Sequence, residues 1–312
     1  MSPLLLRARA RIRDAMKPIG EAAVGALTFI LLRTMRYFDP IKTADFLGRV
    51  TRWIGPIVAT REQRTGRANL SAAFPEKSPE EIDAILDGVW DNLGRLAAEF
   101  AHLDHIWEHD PAFPERSRIE ISPRTHELFA KLRLDEKPAL IFAAHLGNWE
   151  LPAVAAAAHG LEAATLFRRP NSASANRIIE KSRAVKMGTL IPAGRDAPLK
   201  MAEALRNGQH VAMLVDQYFT NGVEVTFFGR KTKANPTLAR LLRQIECPIH
   251  GTRIIRLPGH RFRAELSEEI EPVRDASGQI DVQGTMQAIT SVVEGWIREY
   301  PDQWLWLHRR WR

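Results

Sequence analysis

From residue 138 onward, short apolar runs alternate with helical patterns, and this alternation restricts the possible folds more than any other feature of the chain. The runs are "PALIFAAH" (138–145), "LEAATLF" (161–167), "HVAMLVDQ" (210–217), "PIHGTRIIRL" (248–257) and "RFRAELSEEI" (261–270). Each has the length and residue content of a strand. Helical spacing occupies 148–158, 172–187, 196–207 and 236–246, and a last helix is expected at about 282–299. Such an order predicts an α/β fold: a mostly parallel central sheet flanked by helices, with one antiparallel hairpin at Pro258-Gly259. Active sites in sheets of this kind sit at the carboxyl ends of the strands.

Residues 1 to 105 carry no strand signal and read as helical. In "SPEEIDAILDGVWDNLGRLAAEF", Ser78 is a cap, Pro79 occupies the first helical position, and Glu81 completes a capping box. Ile82, Ile85, Leu86, Val89, Trp90 and Leu93 then recur at helical spacing. The change of pattern after Pro111 and Pro114 divides the chain into a membrane-interface helix (1–40), a helical segment packed on the catalytic domain (41–110) and an α/β domain (111–312).

Charge is distributed unevenly. Residues 1–36 carry a net +5 and the closing "RRWR" a net +3, leaving a body of −1 within the total of +7. A nucleic-acid binder spreads cations over a groove-sized face, so no nucleic-acid partner is expected. Two basic ends on a neutral body suit an anionic membrane surface or an acidic partner. The apolar run "AAVGALTFILL" has 11 residues, well short of the roughly 18 to 20 a spanning helix needs. Arg33 and Arg36 follow it directly, without a small-residue cleavage site. Residues 3–38 therefore read as a helix lying on a membrane in a protein that stays cytoplasmic, with an ordinary amphipathic helix packed on the domain as the other reading. The single cysteine, Cys247, forms no internal disulfide and no metal-ligand cluster is present, which fits a reducing compartment with neither metal nor cofactor.

Three His-x4-acid pairs occur, where residue frequencies alone give about one. His260 and Glu265 fall in an expected strand, where an odd offset points them to opposite faces. His105 and Asp110 lie in "HLDHIWEHDP", an expected solvated helix end. His145 and Glu150 differ. His145 ends a buried apolar strand, Gly147 permits a tight turn, and Asn148 is a good cap for the next helix, so the chain reverses and the two side chains can meet. A carboxylate on one imidazole nitrogen leaves the other free as a base toward an alcohol. A buried histidine satisfied by a capping glutamate is the alternative. No serine lies in a GxSxG elbow, so direct transfer to a bound hydroxyl is expected, without a covalent enzyme intermediate.

"HLGNWE" resembles the His-x4-Asp/Glu motif of glycerolipid-type acyltransferases. The surrounding blocks are similar to the late, lauroyl/myristoyl acyltransferases of lipid A biosynthesis: "RANLSAAFPEKSPEE", "WDNLGRLAAE", "FRRPN", "LVDQ", "VTFFGRKTKANP" and "YPDQWLWLHRRW". The resemblance implies acyl transfer from acyl carrier protein to a 3-hydroxyacyl hydroxyl of a Kdo-bearing lipid A precursor, at the cytoplasmic side of the inner membrane. His145 would take the hydroxyl proton, and Glu150 would orient His145.

Arg169, with Asn171 in the same block, and Arg183 would hold a phosphate of the acceptor or support the thioester oxyanion. Asp216 and Gln217 end a strand on the same expected edge as His145 and would line the pocket. Phe228, beside Phe227, would wall an acyl groove or serve as a core aromatic. Trp304, Trp306 and Trp311, with Arg309, Arg310 and Arg312, read as interface anchors or as a closure over the sheet. A transferase with another lipid acceptor, a thioesterase and a non-catalytic membrane scaffold remain as alternatives.

Overall fold

The computed structural model describes residues 25–312 apart from 104, 108–116, 136, 170, 171, 185 and 186. Most of the expected interface helix, together with Asp110 and Asn171, thus lies outside the described residues. Residues 25–35 are helical (α1), and α2 (Pro40–Val58) starts where Asp39 accepts a hydrogen bond from the Lys42 backbone N–H. α3 (Thr60–Ala73) leads to α4 (Pro79–Ala101), whose capping box joins Ser78 and Glu81 as expected. Among the described residues no helix is long and apolar enough to cross a membrane.

The seven-stranded sheet contains β1 (Ile119–Ile121), β2 (Leu140–Ala143), β3 (Ala163–Phe167), β4 (Thr189–Pro192), β5 (His210–Leu214), β8 (Ile249–Leu257) and β9 (Arg261–Leu266), in the order β1-β9-β8-β2-β5-β3-β4. Every pairing is parallel except β8 with β9. That hairpin turns through Pro258, Gly259 and His260, with positive φ at Gly259 and His260. His260 thus lies in the turn instead of the strand expected for it, and its Nε2 is 3.6 Å from Asp45. The helices α5 (Pro123–Leu134), α6 (Leu151–Ala158), α7 (Ala173–Ala184), α8 (Ala197–Arg206), α9 (Thr237–Gln244) and α10 (Val282–Glu299) complete the α/β order.

All five expected strands form, each shorter than its apolar run. The four unanticipated strands lack a run to detect. β1 and β4 are three and four residues long. β6 (Val223–Phe227) and β7 (Arg230–Ala234) form a separate antiparallel pair, and "RKTKA" is mostly charged. Their turn is Phe228-Gly229, both at positive φ (51° and 68°), the geometry a two-residue hairpin demands. Phe228 is strained there, and its ring is buried between Phe74, Phe227 and Trp306.

After α10 a short turn, Pro301–Gln303, leads the chain back along the carboxyl edge of the sheet. Leu146 and Trp304 form a bridge, the Leu305 N–H donates to the His145 carbonyl, and the Gly147 N–H donates to the Gln303 carbonyl. Asn69 Nδ2 donates to the carbonyls of Trp306 and His308, tying α3 to the same tail. Trp304, Trp306 and Arg310 are almost wholly buried. The tail is therefore a closure over the sheet, and these tryptophans are not membrane anchors.

Candidate active site

β2 and β5 are parallel neighbours in the register Ala143↔Leu214. The residues two positions beyond, His145 and Asp216, therefore leave the sheet side by side. His145 Nδ1 lies 2.8 Å from Asp216 Oδ1. Asp216 Oδ2 accepts the His145 backbone N–H at 2.9 Å and the Trp304 indole N–H at 2.7 Å. Burial alone would push this fully enclosed carboxyl upward. The cationic form of His145 and the N–H groups aimed at the carboxylate outweigh it and hold Asp216 well below the usual carboxylate range. Asp216 stays ionised, so it takes no proton from His145. It fixes the tautomer with Nδ1 protonated and leaves Nε2 as the acceptor. Trp149 stands edge-on to the imidazole, and Gln217 Nε2 is 3.3 Å from His145 Nε2.

Glu150 takes a different partner from the one expected. The loop after His145 passes through Gly147 at φ +57°, where an added Cβ would sit 1.9 Å from the Ile254 carbonyl. That bend carries Glu150 to the start of α6. There the Arg183 guanidinium grips its two oxygens, with Nε donating to Oε2 at 2.9 Å and Nη2 to Oε1. Arg183 in turn lies over the rings of Phe100 and Phe167. The carboxylate that contacts the His145 imidazole is thus Asp216, and Glu150 forms an ion pair with Arg183.

A buried polar network secures the loop. Asn148 Oδ1 accepts the Glu150 N–H, making Asn148 the turn residue, while Glu150 itself occupies the cap position of α6. Asn148 Nδ2 donates to Glu99 Oε2 at 2.8 Å, and Glu99 is gripped by Arg256 from the end of β8. Asn92 Nδ2 donates to the carbonyls of Gly147 and Gln303, while its Oδ1 accepts from Arg256 Nε. Glu99, Asn92, Arg256 and Trp304 all act on the loop, and no local pattern marks them, since their partners lie far along the chain.

His145 stands at the edge of a cavity of about 490 Å³ between one face of the sheet and helices α5 and α6. Ala143, Ala163 and Ala212, from three neighbouring strands, leave the floor low, and Phe129, Leu161 and Leu266 are among the apolar walls. Arg168 and Arg183 line it as well. Arg169 does not; it is exposed, with Nε 3.4 Å from Glu180. Phe227 and Phe228 lie away from the cavity, in the aromatic cluster beneath the tail, so the expected groove wall is a core packing site. Burial pushes the Cys247 thiol up to about 11, which leaves it protonated and a poor nucleophile near neutral pH. The arrangement thus provides a tautomer-fixed base beside an apolar cavity, which suits proton removal from a hydroxyl next to a bound hydrocarbon chain.

The chain is similar to known proteins along most of its length. The lipid A biosynthesis myristoyltransferase of Escherichia coli K12 is 23% identical over 292 residues, covering 91% of this chain and 84% of that protein. Lipid A biosynthesis acyltransferase 2 of Shigella flexneri is 22% identical over 275 residues, covering 86% and 83%. The model of the bacterial lipid A biosynthesis acyltransferases matches residues 19–312. With a match over nearly the whole chain, this protein belongs to the bacterial lipid A biosynthesis acyltransferase family.

Proposed function

We propose that this protein moves a fatty acyl chain from acyl carrier protein to a 3-hydroxyacyl hydroxyl of a Kdo-bearing lipid A precursor, working as a peripheral protein on the cytoplasmic side of the inner membrane. The observation that carries this reading is His145, with Nδ1 tied to Asp216 and its side chain among those lining a largely apolar cavity. The acyl chain occupies the cavity with its thioester carbonyl near His145, and the volume falls within the range of small-ligand pockets, roughly 300–1,000 Å³. The name of the Escherichia coli relative, a myristoyltransferase, supports a long saturated donor.

In the reaction, His145 Nε2 accepts the hydroxyl proton as the oxygen attacks the thioester carbonyl. A C–O bond forms, the tetrahedral intermediate collapses, and the C–S bond breaks. The imidazolium returns its proton to the departing thiolate of the carrier. Asp216 stabilises the imidazolium throughout. Gln217, the amide nearest Nε2, is displaced by the incoming hydroxyl and then helps to hold it. Arg183 and Glu150 fix the wall of the cleft, and Arg168 at its edge is free to meet an acceptor phosphate.

The experiment is an acyl-transfer assay with a panel of acyl carrier protein thioesters and a Kdo-bearing precursor, read by the mass of the precursor. Wild type is expected to add one acyl mass and His145→Ala none, while circular dichroism reports equal folding. An unchanged precursor across the panel would overturn the acceptor assignment, and free fatty acid in the same tubes would point to a thioesterase.

A further inference from the structure

Helix α2 has its polarity reversed relative to a helix of a soluble domain, in which large apolar side chains turn inward. Here the residues turned inward are small: Ala44, Gly48 and Gly55. A Cβ on Gly55 would meet the Trp90 ring at 2.5 Å and one on Gly48 the Asp91 carboxylate at 2.6 Å, so α2 lies tightly against α4. The large apolar side chains Phe46, Trp53 and Ile57 point the other way, and Val58 is exposed at the end of the helix. Trp53 is 75% exposed, Val58 74% and Ile57 66%. At about 3.6 residues per turn, positions 46, 53 and 57 form one stripe opposite the glycines. On α1, Leu27 and Ile30 are exposed as well.

Monomeric soluble proteins rarely leave apolar patches of this extent uncovered. The charges around the stripe indicate what covers it. Lys42 and Arg49 flank it and Arg33 lies on α1, all exposed. The carboxylate within α2, Asp45, is turned aside to Arg95. A projecting tryptophan with aliphatic neighbours and a cationic rim matches the headgroup region of an anionic bilayer. We propose that the outer face of α2, continued by α1, docks the protein on anionic phospholipid, with Trp53 and Ile57 inserted among the headgroups. This deepens the peripheral-membrane reading above and does not depend on the chemistry of donor or acceptor.

The surface also adjoins the active site. α1, the end of α4 and α7 enclose a second cavity whose walls include Phe29, Arg33, Phe100 and Lys181. α7 carries Arg183, which holds Glu150. α1 thus packs beside the helix whose Arg183 lines the active-site cavity.

The test uses full-length protein and vesicles of phosphatidylcholine with or without phosphatidylglycerol. Wild type is expected to float with the anionic vesicles, and the double variant Trp53→Ser/Ile57→Ser to lose about tenfold in partitioning. Lys42→Gln and Arg49→Gln should each cost about fivefold on the anionic vesicles alone. Activity of the double variant in detergent micelles should match wild type, which separates docking from folding and chemistry. In a Cys247→Ala background, an environment-sensitive dye on Ile57→Cys should shift to the blue when anionic vesicles are added. A dye that is already blue-shifted without lipid would overturn the proposal. Concentration dependence of that shift would identify a second copy of the chain as the occupant, and its absence would identify residues 1–24. Flotation that the double variant leaves intact would also overturn it while leaving membrane association standing, whereas failure of wild type to float would remove both.

Discussion

At the scale of single residues, the site rests on two carboxylates with separate tasks. His145 and Glu150 stand out in the sequence because an apolar strand, a glycine and a capping asparagine surround them. Their proximity along the chain suggests a pair, yet Gly147 at φ +57° turns Glu150 toward α7. The true partner of His145 comes from the next strand in the sheet, 71 residues on. The polar end of "HVAMLVDQ" marks Asp216 as a strand-end residue, but its pairing with His145 depends on the order of the strands. Arg169 and Phe228 do not line the cavity for the same reason, since a sequence block fixes position along the chain but not direction in space. Glu150 and Arg183 should behave as a unit. In a double-mutant cycle of Glu150→Gln and Arg183→Met, unfolding by urea should return a coupling of about 1–3 kcal/mol. Additive losses would mean that the two residues stabilise the fold independently.

At the scale of elements, one turn and one cavity shape the candidate site. Gly147→Ala would force a Cβ against the Ile254 carbonyl in a backbone region that β-carbons disfavour. We expect a loss of about 2 kcal/mol or more in stability, together with loss of acyl transfer, both measurable on the purified variant. The cavity floor is built by alanines from β2, β3 and β5, and no local pattern reveals that three separated alanines share a wall. Fold class was legible because strand and helix periods alternate over long stretches. Under the proposed function, a preference for acyl chain length would follow from pocket depth, which no local pattern reveals. Ala212→Phe should fill part of the cavity and shift the preferred donor to shorter acyl chains. Each methylene left without a place loses about 0.8 kcal/mol, near fourfold in kcat/KM. An unchanged preference across a donor panel would move the acyl chain out of this cavity.

At the scale of the whole molecule, the C-terminal tail joins the helical front of the chain to the catalytic edge. It bridges Leu146, supplies Trp304 to Asp216, and is held by Asn69 and Asn92 from α3 and α4. The sequence leaves two readings for Trp304 and Trp306, and their burial selects the structural one. Stability should also depend on pH through His210, buried at the start of β5 with Nδ1 unpartnered. Burial holds this imidazole below its ordinary value, so the unfolded chain binds the proton more readily than the folded one. Its contribution is complete above about pH 6.5 and is lost as pH falls from there toward the folded value. Urea unfolding at a series of pH values should show that slope in wild type and a flatter one in His210→Gln. The most direct test of the account is steady-state acyl transfer by Asp216→Asn. Removing the charge that fixes and stabilises His145 should lower kcat by about 10²–10⁴-fold with KM little changed and folding intact. An Asp216→Asn enzyme with wild-type kcat would contradict the assignment of Asp216 as the partner of the base.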